Sequence, residues 1–540
     1  MDNPHCIPYQ ETQYFSRLIN DYLVQKPELQ LLYNRFPSVK NYRELAQNRH
    51  FPAQHRTVLT EVLREQYAAY REEPETAGVW KQIETLEKEN TFTVTTGHQL
   101  NIFSGPLYFI YKIITTINTA QELNTAHPGQ HFVPVYWMAS EDHDFEEINH
   151  INLHGGTVRW PSEQEGKVGA FATETLKPVI DLLAQHLGSG KKARHWIHLL
   201  REAYQEHHNL AKATRHLVHR LFSDYGLLIL DADDARLKSL FIPYMKQDLL
   251  EHKAQQMVEP TTQFLEKDYF KQVHARPINL FYTGASFRER LEKQGQSWQV
   301  LHKDIRFTQK ELLTELQEHP EHFSPNVVLR PLYQEVVLPN LGYVGGGGEL
   351  AYWLQLKGMF DHFEVPFPAL HLRNSVMLVS EKQQRIQKKL ALSWKYFFKG
   401  KDALLKELVA QTSSLDVNLG WYEERLQQMF DEMEALAQQT DKGMMGAVKA
   451  QRQKQLNGLE NMKKKLLRAE KRRHDTAVRK ASELHEALFP KGGLQERHDN
   501  ISLYYAGYGK PLIEHLQSEL RPFEFCYKVV LLHHHSAGGL

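Results

Sequence analysis

Apolar and polar positions mix at helical spacing through residues 1–90, which predicts a helical N-terminal part. The pattern changes at Thr91. Phe92-Thr93-Val94-Thr95-Thr96 is β-branched and aromatic over a length that suits a short strand. A turn from Gly97 to Gly105 follows, and Pro106 then opens an apolar-periodic run from Leu107 to Leu123, proline being suited to the first helical position. A second apolar run, Phe132 to Met138, leads into the acidic cluster Glu141-Asp142-His143-Asp144. Leu227 to Leu230 reads as a buried strand, with Asp233 as a cap for the next helix. Further elements are predicted at Pro277 to Phe281, in a helix after Pro331, at a Gly345–Gly348 run entering a helix at Glu349, and in a last strand within Val365 to Leu372.

Strands alternating with helices over this span predict a mostly parallel α/β sheet. The pattern loosens at about 155–220 and 235–325, which are read as insertions into the sheet domain. The expected organisation is a helical N-terminal part of the core (1–90), a sheet core (91–375), a coiled coil (376–490) and a tail packing on the core (491–540).

From about residue 375 the chain turns to long charged helices. Leu426, Met429, Met433 and Leu436 step by 3, 4 and 3 residues, as a coiled-coil seam does, and the stretch from Met445 to Leu488 repeats the pattern with Arg at seam positions 452 and 473. Asp416 to Gly420 is expected to separate two antiparallel arms. A helix pair this polar cannot bury its seam alone, so it folds back on itself, meets a second chain, or both; a homodimer through this region is predicted.

Composition narrows the function classes. The 65 basic and 65 acidic side chains cancel, so no global field gathers nucleic acid or an anionic membrane. The basic run Lys463-Lys464-Lys465 with Arg468, Lys471, Arg472 and Arg473 is interspersed with glutamates and reads as a solvated helix face. The two cysteines, Cys6 and Cys526, lie near opposite ends of the 540 residues and read as structural thiols, in keeping with a reducing cytosol. No leader and no uninterrupted apolar run of membrane-spanning length is visible, so a cytoplasmic location is expected.

Four segments carry candidate chemistry, each at a strand end or helix start, where open α/β sheets bind ligands. The first, Thr95-Thr96-Gly97-His98-Gln99-Leu100-Asn101, offers close backbone approach and polar side chains suited to a phosphate or sugar. A plain strand-to-helix turn explains it as readily. The second, Ser140 to Glu147, sets carboxylates and an imidazole after an apolar strand, where they can hold an amine or act as a base. It lacks a recognised metal spacing, and an acidic helix start accounts for part of its charge. The third, Asn326 to Asn340, contains Arg330 at a helix start, a carboxylate or phosphate clamp or simply a surface ion-pair partner. The fourth, Gly342 to Trp353, puts four glycines ahead of a helix but is neither a P-loop nor a dinucleotide fingerprint.

Taken in order, several runs resemble one family. They are Thr96-Gly97-His98-Gln99, Gly105-Pro106-Leu107-Tyr108, Ile110-Tyr111-Lys112, Pro134-Val135-Tyr136-Trp137, Glu141-Asp142-His143-Asp144-Phe145, Leu329-Arg330-Pro331, Gly348-Glu349-Leu350-Ala351-Tyr352-Trp353 and Leu488-Phe489-Pro490 with Gly492 to Arg497. The family is BshC, the cysteine-adding enzymes of bacillithiol biosynthesis; the chain departs from it at His98, where Gln is usual, and at Gly347, where Pro is usual. The resemblance implies an α/β fold: a Rossmann-type, nucleotidyltransferase-like core with helical insertions, followed by an antiparallel α-helical coiled coil that dimerises. It implies a ligase joining L-cysteine to glucosaminyl malate, with ATP or another nucleotide as activating cofactor; the residues themselves offer no identified metal ligand set. Within that scheme Asp142, His143 and Asp144 are the catalytic candidates. Thr96, Gly97, His98, Gln99, Asn101, Glu141, Arg330, Tyr343, Gly345, Gly346, Glu349 and Tyr352 are the substrate-binding candidates. The expected partners are the two substrates, a nucleotide and a second copy of the chain, with no nucleic acid and no membrane. The rival readings are a nucleotidyltransferase-like enzyme acting on another small carboxylic acid, and a non-catalytic coiled-coil scaffold.

Overall fold

The strand signal at residue 91 marks the centre of a sheet. In the computed structural model, which describes residues 5–153, 156–412, 419–473 and 475–533, Thr91–His98 forms a strand (β1) buried along almost its whole length. Four more strands run parallel to it: His131–Met138 (β2), Leu228–Asp231 (β3), Asn340–Gly345 (β4) and Ala369–Leu372 (β5), in the order β5-β4-β1-β2-β3. Read from the other edge this is 3-2-1-4-5, the Rossmann order, and the strand order reverses between β1 and β4. Thr93, Thr95 and Thr96 tolerate burial in β1 because their hydroxyls are satisfied, unlike that of Thr91, which is buried without a partner among the described residues. Thr93 and Thr95 Oγ1 donate to Asn340 Oδ1 at 3.1 and 2.9 Å, and Thr96 Oγ1 donates to the Val344 carbonyl at 2.7 Å. Phe92, Val94, Phe132, Leu341, Val344 and Ala369 pack with Ala120 and Leu123 of the helix Tyr108–Ala126 (α1) as the core beneath.

β4 lies at the centre of the sheet yet has no strand signature in sequence. Asn340, Gly342 and Gly345 are poor strand formers, and the register with β1 shifts between Asn340 and Gly342. Gly342 is needed there, since the Tyr42 hydroxyl occupies the place of a Cβ. Pro277 to Phe281 was expected in the same sheet and is not. The strand there, Leu280–Gly284, belongs to a separate antiparallel sheet with Phe287–Gln294, Ser297–Val300, Arg306–Thr308 and Phe323–Pro325. Asp233 is not the helix cap either. Asp234 accepts from Arg236 N at 2.9 Å, while Asp233 pairs with Lys167.

The two cysteines are not free thiols: Cys6 and Cys526 form a disulfide, with 5.5 Å between their Cα atoms. The strand Cys6–Pro8 runs antiparallel to Cys526–Leu532, so the sheet brings together residues 520 positions apart. No helix among the described residues is long and apolar enough to cross a membrane.

The chain divides into two compact units, Met1–Leu378 with Gly493–Leu540, and Val379–Gly492. In the second, Trp394, Phe397, Phe398, Leu404, Leu408, Leu484 and Leu488 are buried. Gly420–Thr440 and Met445–Arg473 double back on each other across the reversal at Asp441–Met444. The break expected at Asp416 to Gly420 lies mostly outside the described residues, and the arms reverse later in the chain than expected. The seam is also displaced. Phe430 and Ala437 are buried between the arms, whereas Met429, Met433 and Leu436 are 40, 43 and 62% exposed. Arg452 does sit in the seam, half-buried, held by Asp431 at 2.9 Å and Glu434 at 3.2 Å.

Candidate active site

At the carboxyl ends of β1 and β4, where the strand order reverses, the first unit encloses a cavity of about 550 Å³. The Rossmann topology makes this the natural ligand crevice, because chain segments leave the two strands in opposite directions and part there. Gly97 lets the backbone of β1 come close: a Cβ would meet Arg330 Nη1 and the Tyr343 hydroxyl, both at 3.4 Å.

One wall is built on a buried ion pair. Lys112, on α1 and 1% exposed, donates to Glu349 Oε1 and Oε2 at 2.9 and 2.8 Å and to the Gly97 carbonyl. Glu349 opens the helix Gly347–Gln355 (α3) and also accepts from the Tyr343 hydroxyl at 2.7 Å and Gly346 N at 3.1 Å. Burial alone would raise this carboxyl, but Lys112, Tyr343 and the Gly346 amide hold it at about 2. The glycine loop therefore differs from a phosphate cradle at its first amide, which is bonded to the chain's own carboxylate.

The opposite wall comes from the segment after β2. Asp142 accepts from Gln99 Nε2 at 2.8 Å and from the His143 and Asp144 amides at 2.7 and 3.3 Å. Against the upward push of burial, the His143 side chain, the Gln99 amide, the Arg288 guanidinium and the His143 backbone amide hold its carboxyl well below the usual range. Glu141 pairs with Lys238, which is fully buried. Arg330, on the helix Leu329–Val337 (α2), donates to Gln334 Oε1 at 3.1 Å and to the Tyr352 hydroxyl at 3.2 Å, and no carboxylate pairs with it among the described residues. It is a cation held in place and left available to an anionic ligand. His98 stacks on Phe109 at 4.9 Å, and its Nε2 is buried without a partner. Burial and the nearby Lys112 push its imidazole down to about 3, so it is neutral near pH 7.

The cavity thus brings together Gly97, His98, Gln99, Glu141, Asp142, Arg330, Tyr343, Gly346, Glu349 and Tyr352 from segments separated by up to 255 positions of sequence, Gly97 to Tyr352. Five sequence candidates lie off its lining. Thr96 is turned into the sheet by its bond to Val344, and Gly345 is buried beneath Leu350. Asn101 lines a neighbouring cavity. His143 is exposed and accepts at Nδ1 from Arg288 at 2.8 Å, and Asp144 is the exposed residue before the short helix Phe145–Ile148. Of the three catalytic candidates, only Asp142 faces the cavity.

Sequence reasoning gave no role to Lys112, Tyr108, Trp137, Arg288, Arg373 or Arg497, which also line it. Lys112 did leave a signal, a lone cation inside the apolar run Ile110 to Ile114. Arg373 left none, since it is buried in a two-pronged pair with Glu496, at 3.1 and 2.8 Å, across 123 residues.

Comparison with known proteins agrees with this architecture. Residues 3–374 match the family model described as "Bacillithiol biosynthesis BshC, N-terminal Rossmann-like domain", and residues 376–532 match "Bacillithiol biosynthesis BshC, C-terminal coiled-coil domain". The chain is 46% identical over 529 residues to a Flavobacterium johnsoniae protein named "Putative cysteine ligase BshC", covering 98% of this chain and 99% of that one. Proteins of the same name from Christiangramia forsetii and Cytophaga hutchinsonii are 44% and 37% identical, over 97% of this chain and 98% of each of theirs. With both domain models matched in order and relatives similar along their full length, the chain belongs to the BshC family of bacillithiol biosynthesis.

Proposed function

We propose that this chain is a cytoplasmic ligase that joins the carboxyl group of L-cysteine to the amine of glucosaminyl malate, giving bacillithiol. The observation that carries the reading is the pairing, in one cavity, of a cation without a carboxylate partner (Arg330) and a carboxylate held ionised (Asp142). A substrate bearing both an ammonium and carboxylates matches that pattern of charge. Arg330 takes a malate carboxylate. Asp142 and the Gln99 amide orient the amine.

A free carboxylate is a poor electrophile, and a nucleoside triphosphate is the activating partner proposed here, supplying a phosphoryl or adenylyl group to one carboxylate oxygen. The residues fit an anionic donor beside Arg497, which has no carboxylate partner among the described residues, more than at the first α3 amide, which Glu349 occupies. The amine nitrogen then attacks the activated carbonyl carbon. Activation of the carboxylate releases pyrophosphate or the nucleoside diphosphate, and the bound ammonium gives one proton to solvent before it attacks. The C–N bond forms as the C–O bond to the activating group breaks and the nucleoside monophosphate or phosphate leaves. The nitrogen then gives its second proton to solvent. A carboxylate held far below neutrality is a weak base, so Asp142 positions the amine rather than deprotonating it. We further propose a homodimer through the helical arms, where Met429, Met433 and Leu436 form an exposed apolar stripe.

The test is direct. The protein is incubated with glucosaminyl malate, L-cysteine and ATP, and products are read by mass. The expected product has the summed mass of the two substrates less one water. Absence of that product with every nucleoside triphosphate, from protein that binds both substrates, overturns the reading.

A further inference from the structure

A second cavity, of about 320 Å³, adjoins the first, and Gln99, Tyr108 and Arg497 line both. The glutamates of the main cavity and its surroundings have their charges answered: Glu141 pairs with Lys238, Glu349 with Lys112 and Glu496 with Arg373. Glu147, in the second cavity, has no cation among the described residues. Its Oε2 accepts only from Gln99 Nε2, at 2.8 Å. That same Nε2 donates to Asp142 on the main-cavity side, so one amide group fixes two carboxylates, one for each chamber.

Two more observations point to a ligand. Asn101 is 7% exposed and lines the second cavity. Its Nδ2 donates to the Glu147 carbonyl at 3.1 Å, while its Oδ1 is buried with no partner. A buried acceptor left empty is costly, so an acceptor kept in that state beside a cavity calls for a donor. Arg497 supplies the opposite charge, and its guanidinium takes part in no hydrogen bond or ion pair among the described residues. Pro106 and Ile151 add an apolar wall.

We propose that this second cavity is a subsite for a free α-amino acid in its zwitterionic form. Glu147 and Asn101 Oδ1 receive the ammonium, and Arg497 receives the carboxylate. Arg497, Gln99 and Tyr108 belong to both chambers, so the amino-acid carboxyl lies at the junction, facing an amine held by Asp142. The identity of the amino acid as cysteine rests on the ligase reading. The charge pattern that selects an α-amino acid does not.

Titration calorimetry on the full chain, with and without ATP, tests this using L-cysteine, N-acetyl-L-cysteine (no ammonium), cysteamine (no carboxylate) and glucosaminyl malate. L-cysteine is expected to bind the native protein, and both truncated analogues at least tenfold more weakly. Glu147→Gln and Arg497→Met are expected to raise the L-cysteine Kd at least tenfold. Asp142→Asn and Arg330→Met are expected to shift it less than threefold while weakening glucosaminyl malate. Melting curves identify any variant that fails to fold, and the analogue series on the native protein stands without the variants. The subsite is overturned if L-cysteine does not bind under either condition, if the analogues bind as tightly, or if Asp142→Asn abolishes its binding and Glu147→Gln does not. Normal binding of both substrates by this pattern without amide formation would uphold the subsite and sink the ligase reading.

Discussion

Replacing Lys112 with Met removes one half of the ion pair on which the cavity wall is built. Lys112 is 1% exposed and its only carboxylate partner among the described residues is Glu349, itself 28% exposed and bonded to Tyr343 and Gly346. The fall of the Glu349 carboxyl from its ordinary 4.5 to about 2 corresponds to about 3 kcal/mol of favourable interaction with the charged form. Because the folded value is depressed, that contribution is present above the ordinary carboxylate range and is lost as pH falls through about 4 towards 2. Burial works against the Lys112 ammonium, so the intact pair is close to neutral against an apolar replacement, while a single deletion strands a buried charge. Lys112→Met and Glu349→Gln are each expected to cost about 3 kcal/mol at pH 7, and the double variant markedly less than their sum. Urea unfolding followed by far-ultraviolet circular dichroism reads the loss. Single-variant losses below about 1 kcal/mol, or an additive double variant, would refute the argument that this pair is coupled and desolvated.

Arg330→Lys keeps a positive charge but loses the planar fork held between Gln334 and Tyr352; calorimetric affinity for glucosaminyl malate is expected to fall roughly 30- to 150-fold, as loss of charge-assisted bonds of about 2–3 kcal/mol implies. His98 titrates at about 3, so its charge does not change between pH 5 and 8, and a pH–rate profile whose break moves in His98→Gln would contradict its neutrality. Cys6→Ser opens the link to Cys526, and its unfolding free energy in the absence of reductant is expected to fall by about 2–4 kcal/mol; a thiol titration finding two free cysteines in the native protein would remove the basis for this. Met433→Glu with Leu436→Glu places charge on the exposed stripe of the arm, and light scattering is expected to report a monomer if that stripe joins two copies.

How far the sequence foretold this depends on whether the signal was local. β1, β2 and β3 were legible because buried parallel strands are short, continuous apolar or β-branched runs bounded by turn residues. β4 was not, because its composition answers to its neighbours: Gly342 accommodates the Tyr42 hydroxyl and Asn340 collects the hydroxyls of Thr93 and Thr95. The same distinction runs through the site. Gly97, Gln99, Asp142 and Glu349 stand at strand ends or helix starts, positions that chain topology alone marks as candidates. Arg373 and Arg288 face the cavity from elements whose sequence gives no hint of it. The Cys6–Cys526 bond was out of reach for a similar reason, since nothing local shows that the first and last strands of the described chain are neighbours. In the arm, a heptad reading selected Met429, Met433 and Leu436, but Phe430 and Ala437, one position further on, are the residues buried. Apolar side chains line two adjacent faces there, and spacing alone does not tell an intramolecular seam from an exposed one.

The electrostatics of the cavity constrain the chemistry more than the identity of any one residue does. Asp142 is held ionised, His98 is held neutral, and Glu349 is neutralised by Lys112. None of the three has a proton affinity near neutrality, which is where an efficient general base belongs. A site built this way does little proton transfer of its own. What it offers is fixed charge in complementary positions, Asp142 against Arg330 in one chamber and Glu147 against Arg497 in the next, joined through the Gln99 amide. Such an arrangement accelerates a reaction by holding two reactants in register, and it suits a reaction in which the nucleotide activates the bound carboxyl and the amine needs only to be placed. It follows that Asp142→Asn and Glu147→Gln should act chiefly on substrate affinity, each on a different substrate. Rates at saturation should move less than KM, the reverse of what loss of a catalytic base produces.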